Sequence, residues 1–308
     1  MRLKHYLEYG LLRTLILPFN LLPVPVINWI TQGFGWLCWV VYPYRLPVAY
    51  SNLSTVFPQM GHGEKIRLLR KVYLQFARTA GLIFILHRKP LFKLIQEANV
   101  TGLDLVDEAL AQGKGVVMTT YHGCWFEAYF AWFSSHQRPT SLIYQEQSNP
   151  LSDGYFLRQR TRFGNSLEQL QSNIGMKRYQ QALSANRILI VSLDQNYKRQ
   201  GSKVPFFGRP LGCAKGAAIL HMRTGAPLLT SVYYMKDGQL CIDFDRVGCP
   251  SFQQIDEESI ATISTAALQK YEPHIKKYPE QWFSLFHRLW SKSGYPEKIR
   301  RTGGEIFF

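Results

Sequence analysis

From Thr14 to Tyr44 the chain runs 31 residues without an Asp, Glu, Lys or Arg, longer than the roughly 20 apolar residues that cross a bilayer core. Pro18, Pro23 and Pro25 interrupt the first half. This leaves Ile27 to Tyr42 as the strongest apolar helix, with Trp29, Trp36 and Trp39 along it and Tyr42 and Tyr44 closing it. Trp and Tyr at such positions favour the headgroup interface. No small-residue cleavage site follows, so the pattern predicts an uncleaved membrane anchor over 1–45 rather than a signal peptide. A helix lying in the interface or a proline-broken re-entrant one fits the same pattern, as does a buried helix of a soluble domain. Arg45, Lys65, Arg67, Arg70 and Lys71 outnumber Arg2, Lys4 and Arg13, which leans the main domain toward the cytoplasm.

Beyond the anchor the periodicity changes twice. From Ser54 to His87 it is helical, with Ile66, Leu69, Val72, Tyr73 and Phe76 at near 3.6-residue spacing; Gly61 and Gly63 make a break before it. After Val100 come short β-like runs at Gly115–Tyr121, Ser141–Tyr144, Ile188–Leu193, Leu228–Met235 and Leu240–Phe244, separated by helical stretches. Strands alternating with helices predict an α/β fold with a mixed, mainly parallel central sheet flanked by helices. Lys236-Asp237-Gly238 reads as a hairpin turn that makes the last two runs antiparallel. With no repeat or long linker, residues 46–308 read as one domain.

Composition adds a charge. The 36 Lys and Arg exceed the 21 Asp and Glu by 15, which points to anionic partners: nucleic acid, an anionic membrane, a phosphorylated substrate or an acidic carrier protein. The five cysteines are odd in number and widely spaced, which fits a reducing compartment. No Cys or His pair has structural-zinc spacing, and no metal or cofactor is expected.

The candidate chemistry lies where the run Gly113 to Tyr121 ends on His122, followed by Gly123-Cys124-Trp125-Phe126-Glu127. Ligand sites of open α/β sheets form at strand C-termini. On one continuous helix His122 and Glu127 would point about 140° apart. They can pair only if His122 precedes the helix and Glu127 lies in its first turn, with Gly123 supplying the bend. Glu127 would then hold one ring nitrogen and leave the other to take a proton. A chance surface pair is the alternative.

Taken together, several motifs resemble the late acyltransferases of lipid A biosynthesis, the lauroyl/myristoyl transferases of Gram-negative bacteria, from about Asn52 to Trp290. They are Asn52-Leu53 with Phe57-Pro58; Thr101-Gly102 through Gly113-Lys114-Gly115 to His122 and Glu127; Asn149-Pro150-Leu151; and Arg160-Thr161-Arg162-Phe163-Gly164. Asp194-Gln195, Val204-Pro205-Phe206-Phe207-Gly208, Gly225-Ala226-Pro227, Pro279-Glu280-Gln281-Trp282 and His287-Arg288 complete the set. One departure is local: the family has glycine two residues after the histidine and tryptophan directly before the acid, whereas here Gly123 and Trp125 take other places.

The resemblance implies transfer of an acyl chain from an acyl carrier protein thioester to the 3-hydroxyl of an acyl chain on a phosphorylated glucosamine-based lipid A precursor. The enzyme would sit at the inner membrane with its catalytic domain facing the cytoplasm and anionic lipid beneath it. His122 would be the general base, oriented by Glu127. Arg160 or Arg162, with Arg158 beside them, would meet a lipid phosphate or developing oxyanion charge, unless they form a solvated basic face. Lys198, Arg199 and Lys203, ahead of the turn ending at Gly208, could clamp a second phosphate or sugar acids. Asp194 and Gln195 could hold the site's backbone or a sugar hydroxyl. Cys124 reads as packing rather than a nucleophile, for want of a separate base. The aromatic run Trp125 to Phe133 reads mostly as core, with part available to an acyl channel. Two other readings compete. A glycerolipid acyltransferase shares the histidine block but would need a phosphate block that is absent. A non-catalytic basic protein on a membrane or nucleic acid would need a binding signature; no nucleic-acid fold is visible, and no nucleic-acid partner is expected.

Overall fold

A computed structural model describes residues 2–290, 298–301 and 304–307; the remainder of the expected 46–308 domain lies outside the described residues, as does Met1. The chain enters through α1 (Leu3–Leu21), α2 (Val24–Val41), α3 (Leu46–Val56), α4 (His62–Leu82) and α5 (Lys89–Gln96). The α/β part then runs β1 (Asn99–Thr101), α6 (Leu103–Leu110), β2 (Val116–Thr120), α7 (Phe126–Ser135), β3 (Thr140–Tyr144), α8 (Pro150–Thr161), β4 (Leu167–Gln171), α9 (Met176–Ser184) and β5 (Ile188–Ser192). After it come β6 (Ser202–Phe206), β7 (Arg209–Cys213), α10 (Gly216–Thr224), β8 (Leu228–Lys236), β9 (Gln239–Arg246), α11 (Glu257–Lys277), β10 (Lys298–Arg301) and β11 (Gly304–Phe307).

The central sheet has seven strands in the order β1-β9-β8-β2-β5-β3-β4. It is parallel from β8 to β4, and only β8 against β9 is antiparallel, so the mixed, mainly parallel sheet expected from the sequence is present. Strand alternation feeds two cores. Val117 and Leu189 face a layer with α4, α9, α10 and α11, while Val116, Met118, Ile188 and Ile190 face a layer with α5 and α7. Asp237 and Gly238 both have positive φ, the geometry of a two-residue hairpin.

The uncharged N-terminal stretch is two helices, broken at Leu22 and Pro23. Proline lacks an N–H and prefers the N-terminal edge of a helix, and Pro23 caps α2. Arg88 donates to the carbonyls of Phe19 and Leu22 at the break. Helix α2 lies along α4 through Ile27, Thr31, Gly35 and Trp39, one residue per turn. A Cβ on Gly35 would stand 2.7 Å from Ala77 Cβ, so the two helices touch backbone to backbone. The opposite face of α2, with Trp29, Phe34, Trp36 and Leu37, is exposed, as are Leu3, Leu7, Leu11 and Leu15 along α1. Of the described helices, Val24–Val41 is long and apolar enough to cross a membrane. The helical stretch foreseen at Ser54 to His87 is the end of α3 followed by α4, divided by the turn from Phe57 to Gly61 at the expected glycine break.

Candidate active site

Strands β2 and β5 are neighbours in register, with Thr120 opposite Ser192. Two residues further on, that register sets His122 beside Asp194. Asp194 is fully buried, and its Oδ1 accepts both the His122 backbone N–H (3.0 Å) and Nδ1 (2.6 Å), while Oδ2 accepts the Trp282 indole N–H (2.8 Å). A carboxylate can only accept, so Nδ1 carries a proton, and in the neutral imidazole Nε2 is the nitrogen with the free lone pair. The His122 side chain is 34% exposed and lines an open cavity of about 400 Å³ with Tyr144, Gln145, Gln195, Tyr197, Gln200 and Lys215. Burial would raise the Asp194 carboxyl, but the His122 charge and the hydrogen bonds from His122 and Trp282 outweigh it and hold the group below the ordinary carboxylate value.

The histidine's backbone is clamped from the C-terminal segment. Phe283 N–H donates to the His122 carbonyl (2.8 Å), Cys124 N–H donates to the Gln281 carbonyl (2.8 Å), and Gly123 bridges Trp282. Buried Asn52 donates from its amide to the carbonyls of Leu285 and His287 (2.8 and 2.7 Å), tying the first sequence motif to the last. His287 is pushed down by burial first, then by His122 whenever that ring is protonated, and by Arg45. Gly123 does not have the positive φ that a glycine-only bend would need. It is small because a Cβ there would lie 2.8 Å from the Tyr233 ring, whose hydroxyl accepts the Gly123 N–H.

The structure places Glu127 away from the expected pairing. Helix α7 starts at Phe126, so His122 does precede it and Glu127 is in its first turn, yet among the described residues no hydrogen bond joins the two. Instead Arg160 Nη2 and Nε donate to the two oxygens of Glu127 (2.7 and 2.9 Å), both side chains being nearly buried at 12% and 11% exposure. Arg160 also lies over the Phe130 ring. The hydrogen bond at Nδ1 is thus made to Asp194, 72 positions on, and not to Glu127. The reason is direction: α7 leads away from the sheet end toward α8, while β5 runs parallel to β2 at its side.

The other predicted residues divide by helix and turn geometry. Arg158 and the C-cap residue Arg162, whose backbone is still helical, are four apart on one face of α8, and Arg160 is about 200° round from each, which is why it alone turns inward. Arg158 and Arg162 line a separate groove with Arg13. Gln195 joins the His122 cavity. Lys198 is exposed on a 3-10 turn whose neighbours Tyr197 and Gln200 line that cavity. Gly208 is exposed at the β6–β7 hairpin tip with positive φ and open space around it; it serves the turn and is not among the cavity's lining residues. Cys124 is buried, and burial pushes its thiol up to about 12, which removes it as a nucleophile at neutral pH. Trp125, Tyr129, Phe130, Trp132 and Phe133 are all core. The sequence reading undervalued Trp282 and missed the gathering of Asn52 with the C-terminal segment; both lie in quoted motifs, but nothing local says what they touch.

Fold and arrangement together mark the class: an α/β enzyme with its ligand cavity at the ends of the parallel strands, carried beside apolar N-terminal helices. The chain belongs to the bacterial lipid A biosynthesis acyltransferase family, whose sequence profile matches residues 3–292. It is 24% identical over 281 residues to the lipid A biosynthesis palmitoleoyltransferase of Escherichia coli K12, covering 87% of this chain and 86% of the relative. It is also 27% identical over 219 residues to a phosphatidylinositol mannoside acyltransferase of Mycobacterium tuberculosis, covering 65% of this chain and 61% of that protein. It is therefore an acyltransferase acting on lipid A or related glycolipids, with an acyl donor and a lipid acceptor.

Proposed function

We propose that the chain moves a fatty acyl group from an acyl carrier protein thioester to the hydroxyl of a 3-hydroxyacyl chain on a phosphorylated, glucosamine-based lipid A precursor. The observation that carries the reading is the free Nε2 of His122 at the mouth of an open cavity, with its tautomer held by buried Asp194. An alcohol is a poor nucleophile at neutral pH. Nε2 takes its proton as the oxygen attacks the thioester carbon, and the imidazolium returns it to the departing thiolate. The N-terminus of α10, whose Gly216 lines the cavity, offers unpaired backbone N–H groups for the oxyanion. The acyl group passes directly between substrates, consistent with a buried, protonated Cys124.

Glu127 and Arg160 act in this scheme as one buried pair that fixes α7 against α8 behind the site. Exposed Lys198, Arg199 and Lys203 beside the cavity are where an acidic carrier protein would arrive. Residues 1–45 serve as the membrane element and 46–308 as the catalytic part. With one face of α2 occupied by α4, the exposed apolar faces of α1 and α2 suit a helix pair embedded in the interface of the inner membrane's cytoplasmic leaflet, in contact with its anionic lipids.

The test is transfer from acyl carrier protein thioester to a tetra- or penta-acylated precursor by the full-length protein in detergent. His122→Ala is expected to lose about 10²–10⁴-fold in kcat. Transfer by His122→Ala at the wild-type rate overturns the mechanism; transfer to a mannolipid but not to the precursor overturns the acceptor.

A further inference from the structure

Helix α1 is docked on the enzyme as well as exposing a leucine stripe. Asn149, whose Oδ1 caps α8 by accepting the Leu151 N–H, turns its amide to the His5 carbonyl (3.0 Å) and Glu8 Oε2 (2.9 Å). Tyr9 packs edge-on against Tyr155. Between α1 and α8 this leaves an open groove of about 660 Å³, the largest of the cavities described here, and it shares no lining residue with the His122 cavity. Three guanidinium groups line it: Arg13 from α1, and Arg158 and Arg162 from the outward face of α8.

None of the three makes an ion pair with a carboxylate among the described residues. Arg13 donates to the Tyr9 hydroxyl (3.0 Å) and lies over the Tyr9 and Tyr155 rings, and Arg162 Nη1 donates to Gln159 Oε1 (2.7 Å) and lies 3.1 Å from His87 Nδ1. These contacts hold Arg13 and Arg162 in place without placing a carboxylate on either. Arg158 and Arg162, four apart on one helix face, repel each other until an anion sits between them and Arg13. The groove also has a depth. Its α1 wall is the helix that exposes Leu3, Leu7, Leu11 and Leu15, and Leu17 lines it and is itself exposed. With those leucines in the acyl layer, the arginines stand at headgroup level.

We propose that this groove is a seat for a phosphomonoester carried on a lipid, with Arg13, Arg158 and Arg162 as its ligands. A phosphomonoester is close to a dianion at neutral pH and presents three oxygens, which matches three guanidinium groups lining one groove better than a phosphodiester with two. The lipid is the phosphorylated acceptor itself, a step that rests on the function proposed above. Helix α1 is then part of the acceptor site as well as a membrane element, and the α8 face opposite Arg160 reads the phosphate while the inward face holds Glu127.

The experiment has two arms on the full-length protein. In the first, cosedimentation with phosphatidylcholine vesicles is compared with vesicles containing phosphatidic acid, a phosphomonoester, or phosphatidylglycerol, a phosphodiester. The wild type should prefer phosphatidic acid, and Arg13→Gln, Arg158→Gln and Arg162→Gln should each weaken that binding roughly tenfold while leaving phosphatidylcholine binding unchanged. Arg223→Gln, on the exposed end of α10, serves as the charge control and should not. In the second, KM for the phosphorylated precursor should rise with the same variants while kcat holds, and KM for a dephosphorylated precursor should not move. Equal loss on both anionic lipids with unchanged KM assigns the groove to bulk membrane charge and overturns the proposal. Unchanged phosphatidic acid binding in the triple variant also overturns it. If the wild type transfers nothing to the precursor, the reaction assignment has failed, and the vesicle arm still decides the groove.

Discussion

Replacing Asp194 with asparagine keeps the shape of a fully buried side chain and changes what its two terminal atoms can do. The carboxylate accepts three hydrogen bonds and donates none. An amide has one accepting oxygen. If that oxygen faces His122, the NH2 confronts the Trp282 indole N–H, donor against donor, at a cost of about 1–3 kcal/mol in stability. If it faces Trp282, the NH2 points at Nδ1, the imidazole proton moves to Nε2, and the base is lost. Either orientation removes the negative charge that stabilises the imidazolium formed in the reaction. We expect kcat to fall about 10³-fold, equivalent to about 4 kcal/mol in activation free energy, with KM for both substrates little changed. The assay is single-turnover transfer of labelled acyl groups from the carrier protein, with thermal unfolding of the same preparation. In a double-mutant cycle, Trp282→Phe should lose little activity further in the Asp194→Asn background, because both changes act on one network. A folded Asp194→Asn enzyme within a few-fold of the wild-type rate would refute the assignment of Asp194 as the residue that positions His122.

The same carboxyl predicts an acid limb. Held below its unfolded value of about 3.9, it contributes stability that is complete above that pH and is lost as pH falls through the lower native value; Asp194→Asn should flatten the fall of Tm with pH in that window. Glu127→Gln should destabilise the fold by about 3–5 kcal/mol by leaving Arg160 buried and unpaired. Glu127→Leu with Arg160→Met should recover much of that loss in chemical denaturation; if Glu127→Gln instead costs activity without stability, Glu127 acts on the chemistry and not through Arg160. Gly123→Ala should cost about 1–3 kcal/mol, since its Cβ meets the buried Tyr233 ring at 2.8 Å, read as a lower Tm with reduced transfer. Cys124→Ala should retain transfer within a few-fold of wild type and form no acyl adduct by mass spectrometry.

Much of the fold was legible because its signals are local. The runs around Val116–Thr120, Thr140–Tyr144 and Ile188–Ser192 are short and rich in β-branched residues, and Asp237-Gly238 is a turn by its backbone requirement alone. Strand β4, Leu-Glu-Gln-Leu-Gln, was invisible because it is an edge strand, half polar and without β-branched residues. The β6–β7 hairpin was masked by Pro205 and Pro210, which a strand tolerates where no ladder donor is needed.

At the site, the sequence by itself determined that a strand leads to His122, that Glu127 lies in the first turn of the next helix, and that three arginines stand within five residues at the end of α8. Spacing along one element follows from covalent geometry, so those statements survive in the structure. Which acid meets the histidine was decided only by tertiary structure, because β2 and β5 are joined by register across 72 positions while α7 leads Glu127 away to Arg160. The division of the arginines, one turned inward to a carboxylate and two outward to a basic groove with Arg13, was decided the same way. A helix sets the angle between side chains, but only packing of α8 between α7 and α1 says what stands on each side.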